Sequence, residues 1–164
     1  MSYLRKASQD EIEYLWQIAE YQFNRQVADC LFSSKNFLIR IIKSTNRIRY
    51  IYLEDKKSYL ILRAQDNLFS LTLLSAEVIK ECVKPIGYRA LVMDEVKEFI
   101  SKGKNVFAKH ILKVDKSLRP GDEVIIVDSN DNLLGIGKMK LSGEEILEYR
   151  RGVGIIVKRG VKSE

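Results

Sequence analysis

From Tyr88 onward no strand-like stretch of the chain runs far before a glycine, a proline or a polar cluster cuts it off. That punctuation excludes long helices and extended sheets and leaves only compact β architecture. Residues 88–93 read as a strand. Asp94 then caps a helix carrying Glu95, Val96, Phe99 and Ile100, which Gly103 stops. Strands are expected at 105–114, 123–127, 133–140 and 154–158. They are separated by Arg119-Pro120-Gly121-Asp122, by Asp128-Ser129-Asn130-Asp131, and by a helix over 144–149 capped by Ser142. Short strands with a helix inserted on each side of the run predict a small, partly open β-barrel.

The first half follows a different rhythm. Ser8 with Glu11 three residues on forms a capping-box pattern, and Ile12, Leu15, Trp16, Ala19 and Phe23 recur at helical spacing, so 8–23 is expected to be a helix. A short helix at 27–31 follows. The β-branched run at 37–42 and the segments 47–53, 58–63 and 68–73, joined by polar turns, predict an antiparallel meander. A last helix at 75–82 ends before Pro85 and Gly87, which mark the boundary. The fold class is therefore α+β: a helix-plus-sheet domain over 1–86 and a small β-barrel domain over 87–164. Only Lys162-Ser163-Glu164 reads as frayed.

Composition narrows the function. With 164 residues the chain has room for one or two small cores, and no apolar run reaches the roughly 18 residues of a membrane span. The first residues, Met1-Ser2-Tyr3-Leu4-Arg5-Lys6, lack the apolar core of a signal peptide, so a cytoplasmic protein is expected. The net charge of +6 favours an anionic partner but divides evenly between the two halves, so placement of charge matters more than its total. Cys30 and Cys82 stand apart with one histidine, His110, in the whole chain. A metal site is not expected, and the cysteines read as small core residues in a reducing compartment, with a disulfide left open until their separation is known. There is no glycine-rich phosphate loop and no acid pair at catalytic spacing, so neither a cofactor nor catalysis is expected.

Five blocks in order carry a resemblance: Gly103-Lys104-Asn105-Val106-Phe107-Ala108-Lys109; Arg119-Pro120-Gly121-Asp122-Glu123-Val124; Leu134-Gly135-Ile136-Gly137; Ser142-Gly143-Glu144-Glu145; and Arg151-Gly152-Val153 with Val157-Lys158-Arg159-Gly160. Together they resemble the PUA domain, named for pseudouridine synthases and archaeosine transglycosylases. Upstream, Ile18-Ala19-Glu20-Tyr21-Gln22-Phe23, Ser44-Thr45-Asn46-Arg47-Ile48-Arg49 and Asp66-Asn67-Leu68-Phe69-Ser70-Leu71-Thr72 are similar to the segment preceding PUA in archaeal archaeosine transglycosylase and archaeosine synthase. The catalytic barrel and zinc-binding cysteines of those enzymes have no counterpart in this sequence. The resemblance implies a non-catalytic RNA-binding protein, with tRNA held at its acceptor stem and 3′ end. It would act alone or as a detached subunit serving a separate tRNA-modifying enzyme. A ribosome-biogenesis factor binding rRNA and a protein-interaction module are the alternatives.

The candidate RNA-binding residues are Lys102, Gly103, Lys104, Asn105, Phe107, Lys109, Lys138, Arg151, Lys158 and Arg159. Gly103 between two lysines is either an ordinary helix C-cap or a bare backbone where a phosphate can reach the N–H, and the resemblance favours the second. In a continuous strand from Asn105, Val106, Ala108, His110, Leu112 and Val114 would face the core and Phe107, Lys109, Ile111 and Lys113 the outside. Phe107 then becomes either a stacking surface for a terminal base or a plug at the barrel end. Arg151 and Arg159 can grip phosphate bidentately, where lysine acts as a point charge. Carboxylates at 122–131 and 144–148 are expected to face away from the RNA path. Tyr50, Tyr52 and Tyr59 interleave with Arg47, Arg49 and Arg63, a pattern read as sheet packing ahead of RNA stacking.

Overall fold

The computed structural model describes residues 1–33 and 36–163, which form two compact units divided between Val83 and Lys84. The first unit is a five-stranded antiparallel sheet in the order β1-β2-β3-β4-β5, where β1 is Ser2–Lys6, β2 Phe37–Ile42, β3 Arg47–Leu53, β4 Ser58–Leu62 and β5 Phe69–Leu71. Three helices accompany it: α1 (Gln9–Gln22), α2 (Arg25–Leu31) and α3 (Leu73–Cys82).

The expected meander is present because alternation sorts its side chains. Phe37, Ile39 and Ile41 of β2 are buried, while Leu38, Arg40 and Ile42 on the opposite face are only partly covered. Ile51, Leu60, Leu62, Phe69 and Leu71 share this core with Ile12, Leu15 and Ala19 of α1, Val27 and Leu31 of α2, and Ala76 and Ile79 of α3. Tyr59 belongs to it as well: its ring stacks on Phe37 at 5.6 Å and its hydroxyl donates to the Leu31 carbonyl at 2.7 Å. Tyr50 and Tyr52 lie together on the sheet, 6.5 Å apart, with the Arg40 guanidinium 5.8 Å from the Tyr52 ring.

Helix starts are written locally. Ser8 accepts from the Glu11 N–H while the Glu11 carboxylate accepts from the Ser8 N–H, and Thr72 and Ser75 repeat the reciprocal arrangement at α3. Strand β1 was not foreseen, since five edge residues, two of them charged, carry too little pattern. It pairs with β2 from Ser2↔Ile42 to Lys6↔Leu38. Its Arg5 holds Glu11 through two hydrogen bonds of 2.7 Å, tying the edge strand to the first turn of α1.

The cysteines are not separate core residues. Cys30 and Cys82, both partly exposed, form a disulfide that links the end of α2 to the end of α3 across 52 positions. Their spacing in sequence hides this, because a Cα–Cα distance of 6.4 Å arises only once the two helices pack side by side.

The second unit is a six-stranded sheet in the order β7-β11-β10-β9-β6-β8: β6 is Arg89–Val92, β7 Val106–Phe107, β8 Ile111–Val114, β9 Glu123–Val127, β10 Leu133–Met139 and β11 Val153–Gly160. All pairings are antiparallel except β6 with β9. Helix α4 (Lys97–Ser101) follows a 3-10 turn at Asp94–Val96. Asp94 does not cap it: the carboxylate instead accepts from the Ser129 hydroxyl. The expected helix near 144–149 is a single 3-10 turn, Ile146–Glu148, with Ser142 accepting from the Glu145 N–H as foreseen.

The expected single strand over 105–114 is two strands, β7 and β8, at opposite edges of the sheet, joined by a 3-10 turn at Ala108–His110. The chain must cross from one edge to the other, and this crossing makes the barrel nearly closed. It also shifts the alternation, so that Ile111 is buried and Leu112 is half exposed, the reverse of the expectation. Ala90, Val92, Ile100, Val106, Val124, Ile126 and Ile155 fill the interior. Gly137 sits at a register shift between β10 and β11, where a Cβ would collide with the Ile156 carbonyl; bulge and close approach coincide there. The C-terminal residues are held: the Ser163 hydroxyl accepts from the Gly160 N–H, and the Lys162 ammonium meets Glu98 at 2.9 Å. Of the segment expected to fray, Glu164 lies outside the described residues.

Two predictions follow from these ties. Replacing both cysteines (Cys30→Ala with Cys82→Ala) is expected to lower stability by about 2–4 kcal/mol, since the bridge closes a long loop in the unfolded chain. Urea unfolding with and without the substitutions measures this, and reductant should mimic them. The Arg5 guanidinium also pulls the Glu11 carboxyl from 4.5 down to about 2. A depressed carboxylate contributes stability that is complete above its unfolded pKa and lost as pH falls through 4.5 toward 2. The Glu11→Gln variant should therefore show a weaker acid dependence than the wild type in that window, read from thermal midpoints.

Candidate nucleic-acid interface

Helix α4 ends in a glycine cap of the Schellman type. Gly103, with φ +96, donates its N–H to the Ile100 carbonyl, and the Lys104 N–H reaches back to the Phe99 carbonyl. The Gly103 N–H is therefore committed to the helix end, as in the ordinary C-cap reading, and is not the open phosphate donor that the resemblance favoured. What the glycine does supply is the left-handed turn and a close approach, since a Cβ there would stand 2.9 Å from the Ser163 hydroxyl. The turn delivers Lys104 and Asn105 onto β7. Asn105 accepts from the Val157 N–H at 2.9 Å and so fastens this segment to β11.

Beyond the turn lies a groove of about 380 Å³ whose walls are Val96, Phe99, Lys104, Asn105, Phe107 and His110 over a floor of Ile100 and Val106. Phe99 is 61% exposed and Phe107 46%, a high value for aromatic rings in so small a barrel. Phe107 and His110 meet edge to face at 6.1 Å. His110, expected inward on a continuous strand, instead lines the groove because the 3-10 turn rotates it there. Phe99 is legible in the sequence only as a helix position, since its signal, an aromatic residue just ahead of Lys102-Gly103-Lys104, is weak.

Lys104 stands on the groove's wall, and other exposed cations lie on neighbouring residues of the chain and sheet edge. Lys102 is exposed at the helix cap, and Lys109 is exposed on the 3-10 turn between Phe107 and His110. Arg151 is exposed beside Gly152, whose carbonyl accepts from the Ala108 N–H, and Val153 pairs with Phe107. Arg151 is thus brought to the same edge from a point more than 40 residues away in sequence. The remaining candidates are elsewhere: Arg159 pairs with Ile136 far along β11, and Lys138 lies on β10 between Ile156 and Glu123. The Lys158 ammonium sits 3.0 Å from Glu123, a carboxylate only 1% exposed, so its charge is already balanced.

Other carboxylates on this unit are engaged in the fold. Asp115 accepts from the Tyr88 and Ser117 N–H groups, Asp122 from the Arg119 N–H, Asp128 from the N–H groups of Asn130 and Asn132, and Asp131 binds the buried Arg89 guanidinium at 2.9 Å. Among the described residues no group of three or more histidine, cysteine or acidic side chains is placed to hold a metal, and no helix is long and apolar enough to cross a membrane.

Comparison with known proteins agrees with this geometry. Residues 88–161 match the PUA domain model, and residues 13–85 match the patch-forming domain C2 of tRNA-guanine transglycosylase. The tRNA-guanine(15) transglycosylase of Methanococcus vannielii is 34% identical over 148 residues, covering 90% of this chain and 22% of the relative. That of Thermococcus kodakarensis is 33% identical over 150 residues, covering 92% and 25%. The chain thus spans about a quarter of the length of these enzymes. A hypothetical protein from Pyrococcus horikoshii has the same fold, with a TM-score of 0.75 at 19% identity over 98% of this chain and 95% of that one. A PUA domain protein from Thermoplasma acidophilum aligns with a TM-score of 0.65 at 17% identity over 99% and 96%.

The cap at Gly103 allows a direct check. A Gly103→Ala substitution is expected to cost about 1 kcal/mol through its left-handed backbone, and Gly103→Asn less, because asparagine tolerates that region. Equal urea midpoints for the two variants would contradict the assigned role.

Proposed function

As a PUA-domain protein homologous to the non-catalytic C-terminal region of archaeal tRNA-guanine transglycosylase, this chain is, we propose, a module that holds tRNA by its acceptor stem and 3′ end for chemistry performed by a catalytic part carried elsewhere. The groove supports this reading best. Its exposed aromatic rings offer a face to an unstacked base, Lys104 on its wall offers charge, and the exposed Lys102, Lys109 and Arg151 on neighbouring residues of the chain and sheet edge can meet the flanking phosphates. A duplex alone would need cations but no aromatic cleft. A single-stranded end needs both, and the tRNA 3′ terminus joins such an end to a stem.

The test is binding of the full chain to intact tRNA, to tRNA lacking its 3′-terminal nucleotides, and to unstructured RNA. Intact tRNA should bind most tightly, and Phe107→Ala should weaken it about tenfold or more through lost stacking while leaving the truncated tRNA nearly unaffected. If about six to ten phosphates are neutralised, affinity should fall roughly a thousandfold or more between 50 and 200 mM salt, and Lys104→Ala should reduce the salt slope by about one. Equal affinity for all three RNAs would reduce the function to charge attraction. Preferential capture of rRNA fragments over tRNA would move it to ribosome assembly.

A further inference from the structure

Two sequence blocks of the first unit remain without chemistry: the β2–β3 turn containing Asn46, with Arg47 at the start of β3, and the β4–β5 turn containing Asn67. The structure brings them together. With Tyr14 of α1 they border a cavity of about 520 Å³, whose apolar floor is Ile41 and Ile48. That volume lies within the roughly 300–1,000 Å³ typical of small-ligand sites. The Asn67 amide donates to the Tyr14 hydroxyl at 2.9 Å, which fixes both side chains at the rim.

Asn46 and Asn67 adopt left-handed backbone, φ 54 and φ 57. Asparagine is common in such turns for backbone reasons alone. Backbone preference does not explain why both carboxamides, from turns some 20 residues apart, border one cavity beside an aromatic ring. Charge is specific too. Arg5 and Glu11, also on the wall, neutralise each other through paired 2.7 Å hydrogen bonds, whereas Arg47 is exposed and makes no ion pair among the described residues.

A carboxamide carries a donor and an acceptor side by side, the complement of a nucleobase edge. A tyrosine ring covers a base face, and a guanidinium suits a phosphate. We propose that this cavity binds one unpaired ribonucleotide, with Asn46 and Asn67 at the base edge, Tyr14 against the base and Arg47 at its phosphate. In the bound state this nucleotide is one turned out of the RNA that the second unit also grips, so the assignment rests on the RNA-binding reading above. The first unit thereby reads a base, and does not serve only as a spacer.

The experiment titrates the full chain with each of the four ribonucleoside 5′-monophosphates and, separately, with inorganic phosphate, following backbone and side-chain amide resonances, with tRNA binding measured in parallel. Saturable shifts at Tyr14, Asn46, Arg47 and Asn67 with at least one nucleotide, and none with phosphate, are expected. Arg47→Gln, at the exposed start of β3, and Asn67→Asp, which tolerates the left-handed backbone and can accept from the Tyr14 hydroxyl in place of donating to it, should each weaken that nucleotide about tenfold. Both should also lower tRNA affinity. No saturable shift with any nucleotide, equal shifts with phosphate, or unchanged nucleotide affinity in both variants overturns the proposal, and tRNA binding retained in that case leaves the RNA reading standing. Nucleotide binding at these residues without tRNA binding supports the cavity assignment and removes the RNA reading.

Discussion

The 3-10 turn at Ala108–His110 joins the two edge strands of the second unit, and the rest of that unit depends on the crossing it makes. A sheet with two free edges exposes unpaired backbone groups. Carrying the chain from β7 to β8 in three residues brings those edges together at the point where the barrel would otherwise stand open. The same turn sets which side chains face out. Phe107 is left on the surface, His110 swings beside it, and Ile111 enters the core two positions ahead of the exposed Lys113. The groove is thus a consequence of barrel closure. Its other wall comes from the glycine cap that turns the end of α4 back toward β7.

Electrostatics separates the exposed cations from those paired within the fold. Both kinds of charge are plentiful, but most carboxylates named on the second unit are bound to backbone N–H groups in turns or to a partner cation. A carboxylate held this way organises a loop and no longer projects toward an incoming phosphate. Lys158 shows the converse: beside the buried Glu123 it holds the barrel wall together and has little charge to offer a ligand. Lys102, Lys104, Lys109 and Arg151 remain exposed, with Lys104 on the wall of the aromatic groove, so charge and exposed rings occur on neighbouring residues of one unit.

The first unit uses stronger local ties. Two reciprocal helix caps, the Arg5–Glu11 pair and a disulfide between helix ends hold a sheet that has one well-filled face. The turns carry their own bonds: the Asn46 N–H donates to the Ile42 carbonyl, the Asn67 N–H to the Arg63 carbonyl and the Asn67 amide to the Tyr14 hydroxyl, while the Arg5–Glu11 pair lines the same cavity. A pocket built from turn residues needs such support, because turns have few packing contacts of their own.

Much of this was legible in the sequence. Capping at Ser8, the meander from β2 to β5, the glycine stop at Gly103 and the order of the barrel strands all rest on interactions within a few residues, and periodicity and turn chemistry report those directly. Phe107, Lys104 and Asn105 stand in one block of the sequence, so their shared place on the groove follows from adjacency along the chain. Contacts between distant segments were not legible: the β1 edge strand, the Cys30–Cys82 bridge, the balancing of Lys158 by Glu123, the meeting of Phe99 and His110 at one groove, and the pairing of Val153, two residues past Arg151, with Phe107. The break inside 105–114 belongs with these, since nothing local stops that strand and only the need to span both sheet edges bends it. Sequence by itself determined the elements and the charge available, because those follow from neighbours in the chain. The tertiary structure alone decided which charges stay exposed and which aromatic rings share a surface, because solvent exposure is a property of the packed chain.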